Sequence, residues 1–301
     1  MTTVNTVIPA GKTVSLARRR RRPGEVAFKL ALQLCLVIAL AFLVGLISYA
    51  VFKGWNRLDA RLWNNMPTGI VSRADRAGVQ SAIFGTLWVM ALVALICLPI
   101  GILSAIYLEE YADNTRWYNR ILELNIQNLA GVPSIIFGIL GLGMIARVIG
   151  LGFGVITGAI VLALLVLPTV IIASREALRA VPGSIRQASY ALGATKWQTT
   201  WRQVLPAATP GIATGAILSL SRAIGEAAPL ILLGAVTYIR FNPDGLTSRY
   251  TTLPIQIYNL LKEPQAEFQE LAAAAIVLLL VILLAMNSIA IIVRNRFHKK
   301  W

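Results

Sequence analysis

The chain has 301 residues, of which 57% are hydrophobic and only 14% charged, and its mean hydropathy is +0.70. This composition is far more apolar than that of a soluble globular protein and indicates that much of the chain lies in lipid. In such a chain, the basic residues behind the formal net charge of +15 indicate mainly how it is oriented in the membrane.

The N-terminal segment, residues 1–27, contains five consecutive arginines at 18–22 and shows no apolar periodicity before them. We predict a basic cytoplasmic tail that is disordered. A nucleic-acid patch would also use such a run, but next to a hydrophobic segment an orientation signal against anionic lipid is favoured, and no nucleic-acid partner is expected. A cleaved signal peptide is excluded because the basic run starts late and the apolar stretch that follows is too long.

Six apolar stretches are long enough to cross a hydrocarbon core as helices, which takes about 20 residues each. Continuous apolar runs favour helices over barrel strands, which would alternate over about ten residues. We predict an all-α polytopic membrane protein with about six transmembrane helices, in a membrane domain at 28–293 followed by a basic cytoplasmic tail at 294–301. The six stretches are residues 28–52, 83–108, 129–149, 151–174, 210–239 and 271–293.

Lys and Arg are distributed unequally between the two sides of this arrangement. If the N-terminus is cytoplasmic, the cytoplasmic segments hold 18 of the 28 basic residues. This bias predicts cytoplasmic N- and C-termini in a multi-pass protein of the cytoplasmic membrane. The first outer loop departs from the rule, and its charges could attract an anion or merely keep the loop solvated. Its basic residues are Lys53, Arg57, Arg61, Arg73 and Arg76.

Two opposite charges interrupt the fifth apolar stretch. Arg222 and Glu226 lie one helical turn apart, and each charge near the bilayer centre costs roughly 2.5–3.5 kcal/mol on insertion scales. They could form a structural ion pair between helices or a gate on the route of a polar solute, and their intramembrane position favours the gate. In the same stretch Gly215, Gly225 and Gly234 indicate close helix packing.

Residues for catalysis or metal binding are sparse. Residues 11–13 resemble the end of a phosphate-binding loop, but position 6 holds threonine where the pattern requires glycine. Cys35 and Cys97 fall within apolar stretches, and His298 has no carboxylate or cysteine cluster near it in the sequence. We predict a non-catalytic membrane protein without a metal site or a cofactor of its own. Any energy for transport would come from another subunit or from an ion gradient.

The connection between the fourth and fifth stretches, residues 174–207, is the second informative region. Apolar residues recur at helical spacing on both sides of Gly193, and those beyond it include Trp197 and Trp201. Two short helices meeting at Gly193 are predicted. They could lie flat at the membrane interface or insert into a cytoplasmic partner, and the spacing alone leaves these nearly even.

This loop resembles the EAA loop of ABC importer permeases, whose pattern E-A-A-x-x-x-G is followed after nine residues by I-x-L-P. The spacing fits throughout, with Gln187, Ser189 and Gln203 in place of the acidic residue, the second alanine and the isoleucine. The resemblance implies that residues 184–203 dock in a cleft of a cytoplasmic ATPase. The positions that it assigns to this coupling loop are Gln187, Ala188, Ser189, Gly193, Ala194, Thr195, Leu205 and Pro206.

Further strings narrow the resemblance. LAGVPSIIFG at 129–138, EALRAVP at 176–182, ALGATKW at 191–197 and SRAIGEAAP at 221–229 are similar to the PstA-type permeases of high-affinity phosphate importers. Together they extend over most of residues 81–293. The resemblance implies a type I ABC importer permease fold and a function in moving inorganic phosphate across the membrane.

The resemblance also implies partners. These are a second homologous permease in a heterodimer, a dimer of cytoplasmic ATPases that binds ATP and Mg²⁺, an extracytoplasmic phosphate-binding protein and the lipid bilayer. In such an assembly Arg222 is expected to lower the barrier to a phosphate anion. Glu226 would hold the arginine in place and keep the empty pathway near neutral.

Other functions fit parts of the pattern. Sulfate and molybdate permeases share the loop, and a single arginine does not exclude those anions. A channel or an ion-gradient-driven anion transporter would account for the apolar stretches but has no use for the EAA-like loop. A non-transporting scaffold would account for the loop and would leave Arg222 and Glu226 costly without benefit.

Overall fold

A computed structural model describes residues 23–113, 115–234 and 238–296 of the chain. The chain divides into two compact units, residues 1–49 and 50–301. The described part of the first unit is the beginning of α1, Pro23–Gly54, an apolar helix with largely exposed side chains. Most of the predicted N-terminal tail, including its arginine run, lies outside the described residues, as do residues 297–301 of the C-terminal tail.

All regular elements within the described residues are helical, so the predicted all-α class is confirmed. Short π-helical turns follow α3, α5 and α8, at Tyr107–Tyr111, Gly141–Val148 and Thr200–Val204. The helices after α1 are α2 Ala60–Asn64, α3 Gln80–Ile106, α4 Trp117–Ala130, α5 Ser134–Leu140, α6 Val155–Arg179, α7 Gly183–Ala191, α8 Lys196–Thr199, α9 Leu205–Gly225, α10 Ala228–Leu232, α11 Leu253–Lys262 and α12 Ala266–Arg296.

Within the described ranges, five helical stretches are long and apolar enough to cross a membrane. A sixth candidate is a bent pair, Trp117–Ala130 and Ser134–Val148, whose halves meet at 105°. The predicted count of about six is therefore confirmed. The five stretches are Gly24–Arg57, Gln80–Tyr111, Val155–Arg179, Lys196–Gly225 and Ala266–Arg296.

The third apolar stretch, residues 129–149, which Pro133 interrupts in the sequence, is not a span of its own, and most of it is the second half of the bent pair. The chain enters this region as α4, turns sharply, and continues as α5 from Ser134. Pro133 accounts for the break, because proline lacks an N–H donor and pushes the preceding residue away from helical conformation. Residues 117–128, predicted as part of a loop, are helical, and this part of α4 is less apolar than a typical span.

The centre of the second unit is formed by α3, α6 and α9, with α6 packed between the other two. A Cβ atom on Gly101 of α3 would come within 2.7 Å of Val170, and one on Gly215 of α9 would overlap Ala173. These glycines therefore permit close helix approach, as predicted for Gly215. At Gly225 and Gly234 an added Cβ meets no described atom within 4 Å, so close packing at these two glycines stays a prediction.

Residues 238–252 return to the bundle and pack against α3 and α6. The Ser81 hydroxyl donates to the Ile239 carbonyl at 2.8 Å, and the Leu253 N–H donates to the Thr86 hydroxyl at 2.9 Å. Tyr250 is buried against Gly158 of α6. This returning segment and α11 therefore cover the half of the bundle opposite the α6–α7 connection.

Candidate functional site

Arg222 and Glu226, the two charges predicted on a solute pathway, form an ion pair. Nε of Arg222 lies 3.3 Å from Oε1 of Glu226, and the two side chains are 46% and 20% exposed. Leu218, one turn before Arg222, is also exposed. The pair therefore lies on a face of α9 that the other described helices leave partly open.

Two hydrogen bonds between α9 and α12 define the depth of this ion pair. Arg294 donates to the Thr214 hydroxyl at 3.0 Å, and the Ser221 hydroxyl donates to the side-chain oxygen of Asn287 at 2.6 Å. These contacts are equally spaced along the two antiparallel helices. Gly225, the last residue of α9, is consequently level with the middle of α12, and the ion pair lies near half-depth of that candidate span.

The predicted fifth span, residues 210–239, is wrong at both ends. The helical stretch begins at Lys196 and ends at Gly225, and Glu226 is its C-cap instead of a mid-helix residue. Pro229 accounts for the early end, because in a continuous helix its ring would clash with the Gly225 carbonyl. After the break only the short α10 remains helical before Gly234, which adopts φ +80°.

A small cavity of about 10 Å³ lies beside Glu226. Thr86 and Thr252 contribute hydroxyl groups to its lining, and the Thr252 hydroxyl is buried without a hydrogen-bond partner among the described residues. A cavity of this size holds about one water molecule. A phosphate ion does not fit in a cavity of this size.

The hairpin predicted around Gly193 is present in the structure. Gly193 adopts φ +80°, a left-handed conformation that side-chain-bearing residues rarely take, and so lets the chain reverse between α7 and α8. Thr195 and Gln198 form a reciprocal capping box at the start of α8. The hydroxyls of Ser189 and Thr199 lie 2.8 Å apart and join the two helices.

The structure brings most of the predicted coupling residues together in this hairpin. Leu205 and Pro206 are exceptions, because they form the first turn of α9 within one continuous helical stretch from Lys196. The second helix at Gly193 is therefore long, and the prediction that it is short is wrong. The residues on the hairpin are Gln187, Ala188, Ser189, Gly193, Ala194 and Thr195.

A groove of about 510 Å³ lies between the helices of this hairpin and is lined by Ala188, Leu192 and Arg202 among others. Leu192 at the tip is 89% exposed, and Trp197 is also exposed, with its ring centroid 5.1 Å from that of Trp201. Large apolar side chains around a groove are typical of a docking surface.

A cluster of ion pairs that joins the ends of α3 and α6 to the middle of α4 was not predicted. Nη1 of the buried Arg175 lies 2.9 Å from Oε1 of Glu123, and Nη2 of Arg179 lies 3.0 Å from Oε2 of Glu109. The sequence signal was an acidic pair ending the second apolar stretch and two arginines following the fourth. The acidic residues and the arginines both lie on the predicted cytoplasmic side, so ion pairs between them could have been predicted.

The basic residues of the first outer loop are largely engaged in local structure. Arg57 donates to three backbone carbonyls within residues 74–77 at 2.5–2.9 Å. Arg61 lies 3.7 Å from Asp59, and Arg76 lies 3.9 Å from Asp75, in exposed pairs that stabilise little. Attraction of an anion by this loop stays a prediction.

The pKa values of Tyr238 and Asp113, both outside the candidate spans, are shifted. Burial, assisted by the negative charge of Glu263, raises the pKa of Tyr238 to about 12, and its neutral hydroxyl donates to Glu263 at 3.2 Å. Hydrogen bonds from Thr115 lower the pKa of Asp113. Tyr238 is therefore a neutral donor, and Asp113 a carboxylate, near neutral pH.

A family model described as the inner membrane component of binding-protein-dependent transport systems matches residues 97–299. The chain belongs to this family. The permease is 35% identical over 263 residues to the phosphate transport system permease protein PstA 1 of Mycobacterium tuberculosis (strain CDC 1551 / Oshkosh), covering 87% of this chain and 85% of the relative. It is 30% identical over 292 residues to the phosphate transport system permease protein PstC of Xylella fastidiosa (strain Temecula1 / ATCC 700964), covering 84% of each.

The permease also resembles a chain of the MetNI methionine ABC transporter, solved in inward-facing conformations. The TM-score is 0.57 at 17% identity, over 72% of this chain and 95% of that one. At this identity the likeness concerns the fold alone, and it confirms the predicted type I ABC importer permease fold. The resemblance to PstA-type permeases is likewise confirmed, by the relatives.

Proposed function

We propose that this permease forms half of the pore of an ATP-driven importer that carries inorganic phosphate across the cytoplasmic membrane. The observation that carries the proposal is the 35% identity, over 87% of the chain, to a permease named for phosphate transport. The position of Arg222 supports it, because an anion that crosses an apolar region needs a compensating charge.

Arg222 is the residue that would meet the anion. Its partly exposed guanidinium offers several N–H donors in a fork that matches phosphate oxygens. In the empty pathway Glu226 accepts from this guanidinium at 3.3 Å and compensates its charge. An arriving phosphate would replace the carboxylate as acceptor, so the cation has an anionic partner before and during passage.

The α7–α8 hairpin would dock on a separate ATPase dimer that binds ATP and Mg²⁺, while this chain itself carries out no catalysis. The exposed Leu192, which lines the groove, and the exposed Trp197 of α8 support this assignment. Closure of the two nucleotide-binding subunits would move the hairpin and switch the membrane helices between inward- and outward-facing states.

A second, homologous permease would complete the pore as a heterodimer, and an extracytoplasmic phosphate-binding protein would deliver the anion. Relatives of the chain carry two different phosphate-permease names, PstA 1 and PstC, which supports an assembly of two non-identical subunits. In this assembly the partly open face of α9 around Arg222 would line the pathway between the two permeases.

Reconstitution tests this function. The permease is placed in vesicles with its second permease, its ATPase and its binding protein, and uptake of labelled phosphate, sulfate and molybdate is measured with and without ATP. We expect phosphate uptake that requires ATP and that unlabelled sulfate does not inhibit. Uptake of sulfate or molybdate in preference to phosphate, or uptake driven by an ion gradient without ATP, would contradict the proposal.

A further inference from the structure

A largely buried ion pair joins the end of α3 to the α7–α8 hairpin, the coupling hairpin. Nη2 of Arg186, on α7, lies 2.6 Å from Oε1 of Glu110, and the side chains are 21% and 6% exposed. The same guanidinium donates to the carbonyls of Leu178 and Val181 at 3.0 and 2.8 Å. One side chain of the hairpin is thus bonded to the end of α3 and to the end of α6.

Glu110 lies in the π-helical turn Tyr107–Tyr111. A π turn is wider than an α turn and is frequent at functional sites. Here three consecutive residues contact three different elements. Glu109 binds Arg175 and Arg179 of α6, Glu110 binds α7, and the Tyr111 ring centroid lies 5.2 Å from Nζ of Lys196 at the start of α8. The end of α3 therefore contacts both helices of the hairpin.

Apolar packing alone does not attach α7 to the membrane helices. The helix is described throughout, and none of its residues is buried. Ile185 is its one side chain that packs against the apolar cluster formed by the ends of α3, α6 and α9. Arg186 is also the single charged residue in its sequence. Among the described residues, this pair with Glu110 is consequently the ion pair through which α7 contacts the end of α3.

We propose that the Glu110–Arg186 ion pair transmits movement of the coupling hairpin to α3 and, through Glu109 and Arg179, to α6. Glu110 and Arg186 are positioning residues, because neither lies near Arg222, where the anion would pass. The inference rests on the proposed function, since it requires an ATPase that moves the hairpin.

The test compares Glu110→Gln and Arg186→Gln permeases with the unaltered one in the reconstituted complex. Phosphate uptake and ATP hydrolysis are measured on the same vesicles, and complex assembly is measured by co-purification of the ATPase. We expect the phosphate moved per ATP to fall about tenfold, within the usual range of coupling between two sites. Assembly and ATP hydrolysis should persist.

Arg186→Lys keeps the positive charge but cannot bond one carboxylate and two carbonyls in the same fixed geometry. We expect it to assemble normally and to show an intermediate loss of phosphate per ATP. If Glu110→Gln does not assemble with the ATPase, the phosphate moved per ATP by Arg186→Lys decides the test. Full coupling in Arg186→Lys together with failed assembly of Glu110→Gln would overturn the proposal, because the pair would then serve folding alone.

Glu176→Gln is the matched control. It removes an acidic partner of Arg179 at the same end of α6, in an exposed pair with an N–O distance of 3.5 Å that does not involve α7. The phosphate moved per ATP should be unchanged in this variant. An equal loss in Glu176→Gln and Glu110→Gln would overturn the proposal, because the effect would then follow from the local charge.

The outcomes separate the two proposals. If the unaltered complex does not import phosphate with ATP, the proposed function fails and the inference fails with it. If the unaltered complex imports phosphate, but the Glu110 and Arg186 variants lose uptake and hydrolysis in equal proportion or lose neither, the inference alone is overturned.

Discussion

At the scale of single residues, Arg222 lies in the last turn of α9, level with the middle of α12, and is stabilised there by one carboxylate. Its partner Glu226 accepts from it at 3.3 Å, and the pair stays partly exposed on α9. An ion pair that only joined two helices of this chain would be covered by both of them. Contact of the open side of Arg222 with a solute pathway, the gate hypothesis drawn from the sequence, stays a prediction.

Arg222→Ala should lower the initial rate of phosphate uptake strongly. Loss of the cation restores a barrier of about 2.5–3.5 kcal/mol, which corresponds to a rate loss of roughly 100-fold. Glu226→Gln should have a smaller effect because the cation remains. Uptake is measured at equal membrane abundance, with the exposed Arg240→Ala as control. Unchanged uptake in both Arg222→Ala and Glu226→Gln would refute the assigned role.

Ser189→Ala should loosen the coupling hairpin without preventing its formation. The substitution removes the hydrogen bond to Thr199 and introduces the residue that the EAA pattern has at this position. A loss of about 0.5–1.5 kcal/mol in local stability is expected. Hydrogen exchange of the α7 amides measures it, and exchange as slow as in the unaltered chain would show that the bond contributes nothing.

At the scale of elements, the structure is organised by breaks in its helices. The α4–α5 bend follows Pro133, α9 ends ahead of Pro229, and α7 ends ahead of Gly193. Each break has a local chemical cause, since proline cannot continue a helix and glycine accepts a left-handed conformation. The end of α9 at half-depth also leaves carbonyl groups beside Arg222, where a cation is favourable.

Gly193→Ala should weaken binding of the ATPase. At φ +80° an alanine costs about 1–2 kcal/mol, because its Cβ crowds the following carbonyl. Co-purification with the ATPase is the measurement. Gly183→Ala, at the start of α7, is the matched control, because an added Cβ there meets no described atom within 4 Å and the backbone is not left-handed. Equal binding by the two variants would contradict the prediction.

At the scale of the whole molecule, the second unit is held together by close contacts between segments that are distant in sequence. A Cβ atom on Gly85 of α3 would overlap the backbone carbonyl of Thr251, and one on Gly158 of α6 would overlap the Tyr250 hydroxyl. Backbone atoms cannot yield as a flexible side chain can. Residues 238–252 can therefore pack directly against α3 and α6 because glycine at these two positions leaves room for them.

Gly85→Ala should destabilise the folded permease by about 1–3 kcal/mol, the usual cost of overpacking. The midpoint of thermal unfolding in detergent measures the change. Gly143→Ala makes the same substitution at a position where an added Cβ meets no described atom within 4 Å, and its midpoint should stay close to that of the unaltered chain. A midpoint for Gly85→Ala as high as that of the control would contradict this packing.

Much of the fold and part of the candidate site could be predicted from the sequence. The apolar stretches, the hairpin at Gly193 and the Arg222–Glu226 pair depend on residues close together in the chain, so local patterns indicate them. Pro133 was visible as an interruption of the third stretch, but the 105° bend between α4 and α5 was not predicted. The fifth stretch was wrongly predicted to continue past Pro229, because apolar composition measures affinity for lipid and says nothing about where a helix is interrupted.

The sequence by itself determined that the chain is a helical membrane protein of this permease family, because apolar length, basic bias and motif spacing are properties of consecutive residues. Only the tertiary structure decided which charged residues form ion pairs with each other. Glu110 pairs with Arg186 across 76 residues, and Glu109 with Arg175 across 66. Such pairings depend on how α3, α6 and α7 are packed, since helix register and depth bring distant charges together.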